Sequence, residues 1–344
     1  MRDYYKAVRT ADPNREAFSA IVLNGVHAGE RAVFSGEEAV YLSDPEGFIK
    51  KHYKELSPAG PGIVRIDETD IFKECIGHRK HMVICGCGHV SIPIIRLAKT
   101  IGFYITAVDD RPEFVRNAVE AGADEGIGKS FEEALESIPG DGFTYYVVVT
   151  RGHSYDEECL KIISAKPHAY IGAMGSRRRI DIVRQNLIKE GADENIIRSI
   201  HSPIGLDIRS ETPEEIAVSV LAEIIEIKNR KRDTMIPGDI FSEILGTAHT
   251  PPYSGRMVLS TIIEREGSAP REVGARMLLR DDGKAVNTIG GGLMESRVLE
   301  KSRKMLEEGI EGPVCETIEL NADEASRQGE VCGGTLKVLM EVIK

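Results

Sequence analysis

Apolar and polar positions alternate most regularly between residues 80 and 230, where short apolar runs are followed by segments of helical periodicity. The first apolar run, over residues 81–85, enters a glycine turn and then a helix that ends near Gly102. Further strands are predicted over 103–109, 145–150 and 169–173, and further helices over 112–121, 155–165, 177–190 and 212–228. Because these strands are rich in Val and Ile and alternate with helices, they predict a Rossmann-like domain over residues 80–232.

A second pattern begins near residue 255. Residues 233–254 are rich in proline and glycine and are predicted to be a linker with at most two helical turns. Within residues 255–344, strands are predicted over 257–263, 276–279, 314–320 and 335–343, with a helix between about 293 and 306. The predicted fold class is therefore α/β: a Rossmann-like doubly wound parallel sheet plus a smaller α/β domain with antiparallel strands.

Residues 1–79 form an N-terminal α/β segment with the least regular pattern in the chain. Its runs 20–23 and 28–35 echo the runs 261–263 and 273–280. Two interpretations are open. The segment is a degenerate copy of the C-terminal unit that has lost its glycine motifs, or two β-hairpins resemble each other by chance. A superposition without a common strand order would exclude the copy.

Composition narrows the class of protein. The 344 residues carry 44 basic and 55 acidic side chains, and the formal charge of −11 argues against nucleic-acid binding, which needs a cationic surface. Apolar runs stay shorter than the roughly 18 residues that span a bilayer. The first residues do not resemble a signal peptide, so we expect a cytoplasmic protein without a membrane span. The six cysteines form no C-x-x-C pair and are expected to be free thiols.

The first candidate site is the glycine turn that follows the strand at 81–85. Its sequence, Gly86-Cys87-Gly88-His89-Val90-Ser91, opens a helix, and glycines there let backbone amides approach a diphosphate. Asp109 ends the next strand, at the distance where an acidic residue would meet a ribose hydroxyl. The turn therefore indicates nucleotide or cofactor binding, although Rossmann sheets are often reused for other ligands.

A second turn of this kind lies at Gly172–Arg179, after the strand at 169–173. Arginines at a helix N-terminus oppose the helix dipole, so they suit a bound anion better than helix stability. Gly175, Ser176, Arg177 and Arg178 are the candidate phosphate ligands. The alternative is a solvated charge run. His201 and Asp207, in a later loop, are either site residues or loop packing.

Three glycine loops mark the C-terminal domain. They are Gly267-Ser268-Ala-Pro-Arg271, the run Gly290-Gly291-Gly292 with Glu295 one turn into the following helix, and Cys332-Gly333-Gly334. Three such loops in one small domain favour backbone contact with a ligand. Cys332 is a candidate sulfur carrier or metal ligand through its thiolate. The alternative for Cys332 is a small buried residue at a β-bulge.

Together these motifs resemble a known family, the xanthine dehydrogenase accessory proteins of the XdhC/CoxI type. The loops at 267–271, 290–295 and 332–334 look like its CoxI-type domain. The motifs at 86–90, 108–112, 171–178, 203–207 and 212–216 look like its Rossmann domain. In most family members the CoxI-type domain precedes the Rossmann domain, whereas here it follows, and residues 1–79 stand in its usual place. A degenerate N-terminal copy and a permuted layout both fit this order. A second departure is Leu293, where some relatives have a cysteine.

The resemblance implies a chaperone rather than a catalyst. It implies binding of the molybdenum cofactor in its molybdopterin form, help with replacing an oxo ligand by sulfido, and delivery to an apo molybdenum hydroxylase, with a cysteine desulfurase as a further partner. Cys332 would contact sulfur or molybdenum, and the residues named above would hold the cofactor. The alternative is an NAD(P)-dependent oxidoreductase that uses the Rossmann domain. We also expect a homodimer, because two small domains joined by a linker favour domain exchange.

Overall fold

The computed structural model describes residues 1–230, 233–267, 271–319 and 334–344. The chain forms two compact units, which we describe separately. Met1–Gly77 and Arg232–Lys344 make up the paired-sheet unit, and His78–Lys231 make up the Rossmann unit. In the described part of the chain, no helix is both long enough and apolar enough to cross a bilayer.

The N-terminal sheet occupies the first part of the paired-sheet unit. Strand β1 lies at its centre, antiparallel to β2 on one side and β5 on the other, while β3 extends the β2 edge and β4 pairs with β5. The elements are α1 (Arg2–Thr10), β1 (Ala17–Val22), β2 (Arg31–Ser35), β3 (Glu38–Leu42), α2 (Phe48–Lys51), α3 (Tyr53–Leu56), β4 (Gly62–Ile66) and β5 (Thr69–Ile76). Every residue of β1 and β2 is buried, so this sheet is covered on both faces.

The Rossmann unit is built on a parallel sheet with the order β10-β9-β6-β7-β8. Its elements are β6 (His81–Cys85), α4 (Ser91–Thr100), β7 (Tyr104–Val108), α5 (Pro112–Glu120), β8 (Glu125–Ile127), α6 (Phe131–Ser137), β9 (Thr144–Val148), α7 (His153–Ser164), β10 (Tyr170–Ala173), α8 (Arg177–Lys189), α9 (Glu194–Ser199) and α10 (Pro213–Arg230). Apolar residues of α4, α5 and α10 pack on one face and those of α6, α7, α8 and α9 on the other. The predicted doubly wound sheet is confirmed.

The C-terminal sheet completes the paired-sheet unit and has the order β14-β13-β12-β16-β15. The elements after residue 232 are β11 (Asp233–Thr234), α11 (Gly238–Leu245), β12 (Met257–Gly267), β13 (Arg276–Arg280), β14 (Ala285–Val286), α12 (Gly292–Glu308), β15 (Val314–Glu319) and β16 (Gly334–Ile343). The segment predicted as a linker supplies β11, which pairs with β5, and α11, whose Ile240 and Ile244 enter the core. The second, smaller α/β fold is confirmed as well.

The N-terminal and C-terminal sheets share one strand order. Each has a central strand (β1 or β12) flanked by antiparallel neighbours (β2 and β5, or β13 and β16), with β3 or β14 and β4 or β15 outside them. The registers also correspond. Phe18 faces Cys75 as Val258 faces Val342, and Gly62 faces Lys73 as Val314 faces Met340. A chance likeness of two hairpins would extend over two strands, whereas this likeness extends over five. The sixth strand of the N-terminal sheet, β11, has no counterpart among the described strands of the C-terminal sheet.

The two sheets pack face to face around a common apolar core. The N-terminal sheet contributes Ala17, Ile21, Leu23, Val33, Phe72 and Ile76, and the C-terminal sheet contributes Met257, Leu259, Ile263, Leu278, Leu339 and Ile343. The outer faces are covered by helices, α2 and α3 on the N-terminal sheet and α12 on the C-terminal sheet. The paired-sheet unit is therefore a helix–sheet–sheet–helix arrangement.

Candidate functional site

The first candidate site lies in the Rossmann unit, at the turn between β6 and α4. Gly86 has a φ of +100°, and a Cβ there would lie 2.5 Å from the carbonyl oxygen of Val149, so only glycine fits. Behind the turn, the Ser91 hydroxyl donates to the Gly86 carbonyl over 2.5 Å. Above Gly88 there is open space, and His89 is exposed. The Ser91 hydrogen bond thus fixes the turn at Gly86, while the turn is open to solvent at Gly88 and His89.

Asp109 holds this turn in place. Its side chain is almost completely buried, and its Oδ2 accepts a hydrogen bond from the Cys87 amide over 2.8 Å. The Arg111 guanidinium donates to both carboxylate oxygens, over 2.8 and 2.9 Å. Both oxygens are therefore engaged by protein groups. A ribose hydroxyl, which the sequence places at Asp109, would have to displace Arg111 to reach this carboxylate.

A second ion pair lies beside Asp109. Arg151 donates to both oxygens of Asp110, over 2.5 and 2.8 Å, and also to the Tyr155 hydroxyl over 2.8 Å. The hydrogen bonds from Arg151 lower the pKa of Asp110 to about 2. Asp110 and Arg151 were not predicted as a pair, although the acidic residue next to Asp109 and the arginine after β9 both sit at carboxyl ends of strands. These ends meet at one edge of a parallel sheet.

The predicted phosphate ligands near residue 176 follow β10 at the same edge. Ser176 precedes α8 and is exposed, as is Arg178. Arg179, which was not among the candidates, contacts Asp156 instead of facing solvent. Burial raises the pKa of Asp156 to about 6, and the Thr150 hydroxyl opposes this by donating to the carboxylate over 2.5 Å. Gly175, Ser176 and Arg178 thus remain open to solvent, while the side chain of Arg177 lies outside the described part of the chain.

His201 belongs to a separate cluster. Its Nδ1 lies 3.1 Å from Oε1 of Glu223, whose Oε2 accepts hydrogen bonds from the Tyr170 hydroxyl (2.5 Å) and the Gly205 amide (3.1 Å). Although burial acts in the opposite direction, these hydrogen bonds lower the pKa of Glu223. The cluster fixes the loop after His201, and Asp207 in that loop is exposed. The geometry therefore gives His201 a positioning role.

The second candidate site lies in the paired-sheet unit, at one end of the C-terminal sheet. Gly267, the last residue of β12, faces Gly334, the first residue of β16. Because β13 and β14 are antiparallel neighbours in the same sheet, the segment before β13, with Arg271, and the glycine run after β14 lie at this end too. The described residues of the three predicted loops thus lie at one end of the C-terminal sheet. Ser268, Cys332 and Gly333 lie outside the described residues.

Glu295 shapes the glycine run. Its Oε2 accepts hydrogen bonds from the amides of Ile289 and Gly291, both over 3.0 Å, and contacts the Thr288 hydroxyl. Although burial opposes it, this set of donors lowers the pKa of Glu295. The three glycines Gly290, Gly291 and Gly292 all have φ between +66° and +128°, which other residues rarely adopt. Glu295, predicted as a cofactor ligand, is engaged here in holding this strained turn.

The N-terminal sheet offers a direct comparison for the first turn of α12. There, the carboxylate of Glu30 accepts hydrogen bonds from the amides of Phe48 and Ile49, each over 2.8 Å, at the start of α2. The residue in register with Glu30 is Ala275, since Arg31 faces Ile21 as Arg276 faces Thr261. Ala275 carries no charge, and the residue before α12, Gly291, provides no side-chain cap. Among the described residues, no side chain accepts from the amides of Gly292, Leu293 or Met294, because the Glu295 carboxylate bonds the preceding amides of Ile289 and Gly291 instead.

No resident metal site stands out in the described ranges, where no group of three or more His, Cys, Asp and Glu side chains is suitably placed to hold an ion. Several groups suited to an anion are exposed or lack a bonded acceptor among the described residues. Backbone amides at Gly88 and at the start of α12, together with the exposed guanidinium groups of Arg178 and Arg271, are the available groups.

Two family models and two curated proteins match parts of this chain. The family model described as the XdhC Rossmann domain matches residues 82–224, and the model described as the XdhC and CoxI family matches residues 254–317. The Escherichia coli K12 protein YqeB, which is described as uncharacterised, is 32% identical over 160 residues, 46% of this chain and 29% of its own. A probable xanthine dehydrogenase component of Bacillus subtilis 168 is 30% identical over 162 residues, 47% of each chain. The chain thus spans less than half the length of these curated relatives.

A solved structure supports the fold. A protein described as a xanthine dehydrogenase from Bacillus halodurans superposes with a TM-score of 0.53 over 66% of each chain, at 23% identity. That identity bears on the fold alone. The family assignment rests on the two matching family models, which cover most of the Rossmann unit and the first part of the C-terminal sheet. The chain belongs to the XdhC and CoxI family.

Proposed function

We propose that this protein is an accessory protein that binds the molybdenum cofactor and assists its sulfuration and its insertion into a molybdenum hydroxylase of the xanthine dehydrogenase type. Family membership and the description of the Bacillus subtilis relative support the link to xanthine dehydrogenase. The observation that carries the proposal is structural. The C-terminal sheet has Ala275 at the position where the N-terminal sheet places the carboxylate of Glu30, and Glu295 of α12 bonds only amides that precede the helix.

The open helix start fits the phosphate of a molybdopterin. Helix α12 has 17 residues, so its N-terminus carries a developed positive dipole and first-turn amides without intrahelical partners. At the equivalent place in the N-terminal sheet, the amides at the start of α2 bind the Glu30 carboxylate. Arg271 is exposed at the same end of the sheet and would add a charge-assisted hydrogen bond. When bound, the cofactor supplies molybdenum and its dithiolene sulfurs.

Cys332 is proposed to contact the molybdenum or the sulfur atoms of the cofactor through its thiolate. Thiolates match molybdenum and sulfur better than oxygen ligands do, and Cys332 directly precedes Gly333 and Gly334 in sequence. Replacing Cys332 by alanine should abolish activation of the partner hydroxylase while cofactor binding through the phosphate persists. Unchanged activation by the Cys332→Ala variant would remove the thiol from the proposal.

Oxidoreductase activity with NAD(P) is the competing function, and the geometry around Asp109 weighs against it. A dinucleotide site of the usual kind offers a free carboxylate to the ribose. Here Arg111 and the Cys87 amide engage both oxygens of Asp109. The turn at Gly86–Ser91 is therefore proposed to serve an anionic group other than a nicotinamide nucleotide.

The two functions are separated by one binding experiment. The purified chain is mixed with molybdenum cofactor released from a hydroxylase, passed over a sizing column, and assayed for molybdenum and pterin in the protein peak. In parallel, NADH and NADPH binding is titrated by fluorescence. The proposal predicts co-elution of both molybdenum and pterin, and weak nucleotide binding. Failure to co-elute, combined with tight binding of NAD(P)H, would establish the alternative.

A further inference from the structure

The core between the N-terminal and C-terminal sheets contains two buried ion pairs. Nη2 of Arg31 lies 2.6 Å from Oε1 of Glu341, and Nη2 of Arg276 donates to Oε2 of Glu74 over 2.5 Å. All four side chains expose 8% of their surface or less. Each pair joins one sheet to the other, because Arg31 and Glu74 belong to the N-terminal sheet and Arg276 and Glu341 to the C-terminal sheet.

The strand registers show that the two pairs are equivalent. Arg31 faces Ile21 across β1 and β2, as Arg276 faces Thr261 across β12 and β13. Glu74 faces Ser19, two residues before Ile21, and Glu341 faces Leu259, two residues before Thr261. The arginine of each sheet therefore meets the glutamate of the other. This reciprocity is the signature of an isologous interface, in which two copies of one surface pair about a twofold axis.

The apolar contacts obey the same rule. The core residues of one sheet have counterparts at equivalent register positions of the other, for example Ala17 with Met257, Val33 with Leu278, and Phe72 with Leu339. Buried ion pairs contribute little net stability, because desolvation offsets their attraction, but they exclude wrong partners and registers. Such pairs therefore suit a surface that must select its partner.

We propose that the inner face of the C-terminal sheet is a self-complementary interface that fits a second copy of its own fold. In this chain, residues 17–76 are a degenerate copy that occupies the interface from within and takes the place of a partner molecule. A second copy of the C-terminal sheet would form the same two ion pairs, with Arg276 of each copy meeting Glu341 of the other. The N-terminal copy has replaced that second molecule.

This proposal predicts opposite behaviour for two double variants of the full chain with the same net charge. In Arg31→Glu/Glu341→Arg, one pair is exchanged and both inter-sheet contacts remain attractive. In Arg31→Glu/Glu74→Arg, the new carboxylate at position 31 meets Glu341, and the new guanidinium at position 74 meets Arg276. The N-terminal copy is then repelled, while the C-terminal face still fits its counterpart in a second chain.

Light scattering after size exclusion, together with thermal unfolding, tests these outcomes. Arg31→Glu/Glu341→Arg should keep the mass of the unaltered chain and most of its melting temperature. Arg31→Glu/Glu74→Arg should double that mass, and further reversal of Glu341 in this variant should abolish the doubling. Equal mass and equal stability for the two double variants would overturn the proposal.

Co-expression covers the case in which Arg31→Glu/Glu74→Arg does not fold alone. Its partner is a chain with Arg276→Glu/Glu341→Arg, so that the N-terminal copy of each chain is matched to the C-terminal sheet of the other. The proposal predicts a soluble mixed dimer that carries both affinity tags. Absence of the mixed dimer, with the first chain still insoluble, would contradict it.

Discussion

The N-terminal and C-terminal sheets of the paired-sheet unit have the same framework and differ at one end. Strand order, register and the two-sided core agree. The first two strands of each sheet are joined differently. Nine residues separate the facing pair Ile21 and Arg31 in the N-terminal sheet, where Glu30 caps α2, and fourteen separate Thr261 and Arg276 in the C-terminal sheet. The core therefore maintains the framework of both sheets, whereas the loops at this end differ from one sheet to the other.

The connection between the last two strands shows the same contrast. In the N-terminal sheet, β4 and β5 are joined by Asp67 and Glu68, both with positive φ, in a tight hairpin turn. In the C-terminal sheet, the corresponding connection runs from residue 320 to residue 333 and contains Cys332. The N-terminal sheet therefore has neither the thiol nor the glycine run, and its helix start is occupied by its own chain.

Variants of the buried ion pairs are expected to lower the free energy of unfolding most. Replacing Arg276 by methionine keeps most of the apolar bulk but leaves the Glu74 carboxylate buried without its partner, which should lower the free energy of unfolding by about 3–5 kcal/mol. Arg31→Met, at the equivalent position, should cause a similar loss. Urea unfolding followed by circular dichroism measures both.

An exposed ion pair provides the matched control for these variants. Arg15 and Glu38 are separated by 3.4 Å, and their side chains are 56% and 71% exposed. Arg15→Met should lower the free energy of unfolding by about 1 kcal/mol or less. If Arg276→Met lowers the free energy of unfolding no more than Arg15→Met does, the Glu74 carboxylate does not depend on Arg276 for a buried partner.

A smaller effect is expected when Glu30 is replaced by alanine. This variant removes two hydrogen bonds to the start of α2 and makes the N-terminal sheet resemble the C-terminal one, at a cost of about 2 kcal/mol in unfolding free energy. Glu46→Ala, which removes an exposed carboxylate near the same helix, should change the unfolding free energy little. Equal effects of the two variants, measured by thermal unfolding, would mean that Glu30 is not the cap.

The smallest effect concerns Glu295, and it depends on pH. Because the pKa of Glu295 lies below its ordinary value, its contribution to stability is present above the unfolded carboxyl pKa and is lost as pH falls through the folded pKa. Glu295→Gln should therefore cost about 1 kcal/mol near neutral pH and progressively less in acid. Urea titrations of both proteins between about pH 3 and pH 7 test this. A difference in unfolding free energy between the two proteins that grows on acidification would contradict this prediction.

Local patterns in the sequence predicted most of the Rossmann unit. Strand β6, the turn at Gly86 and helix α4 follow each other along the chain, so periodicity and glycine spacing suffice to place them. Strand β8 and helix α6 were missed because they are short, with 3 and 7 residues. The engagement of Asp109 by Arg111 could have been anticipated, since the two are separated by one residue in Asp109-Asp110-Arg111.

The paired-sheet unit was less predictable because its decisive contacts are distant in sequence. A charged residue within a strand, such as Arg31 or Glu341, is usually interpreted as facing solvent, and only the packing of two sheets shows that they meet in the core. The echo between the first residues and the C-terminal domain was visible, but its extent required the registers of all the strands. The cap by Glu30 was likewise hard to predict, because Glu30 precedes β2 whereas the amides that it binds, Phe48 and Ile49, follow β3.

We propose that the start of α12 binds an anion because position 275 lacks the carboxylate that Glu30 supplies in the N-terminal sheet. The most direct measurement is the affinity of released molybdenum cofactor for Ala275→Glu and for Ala275→Gln, which adds the same bulk without the charge. Thermal unfolding of each variant checks that the fold is kept. Binding should be more than about tenfold weaker for the Glu variant than for the Gln variant, because the new carboxylate would occupy the amides and repel phosphate. Equal affinities of the two variants would contradict it.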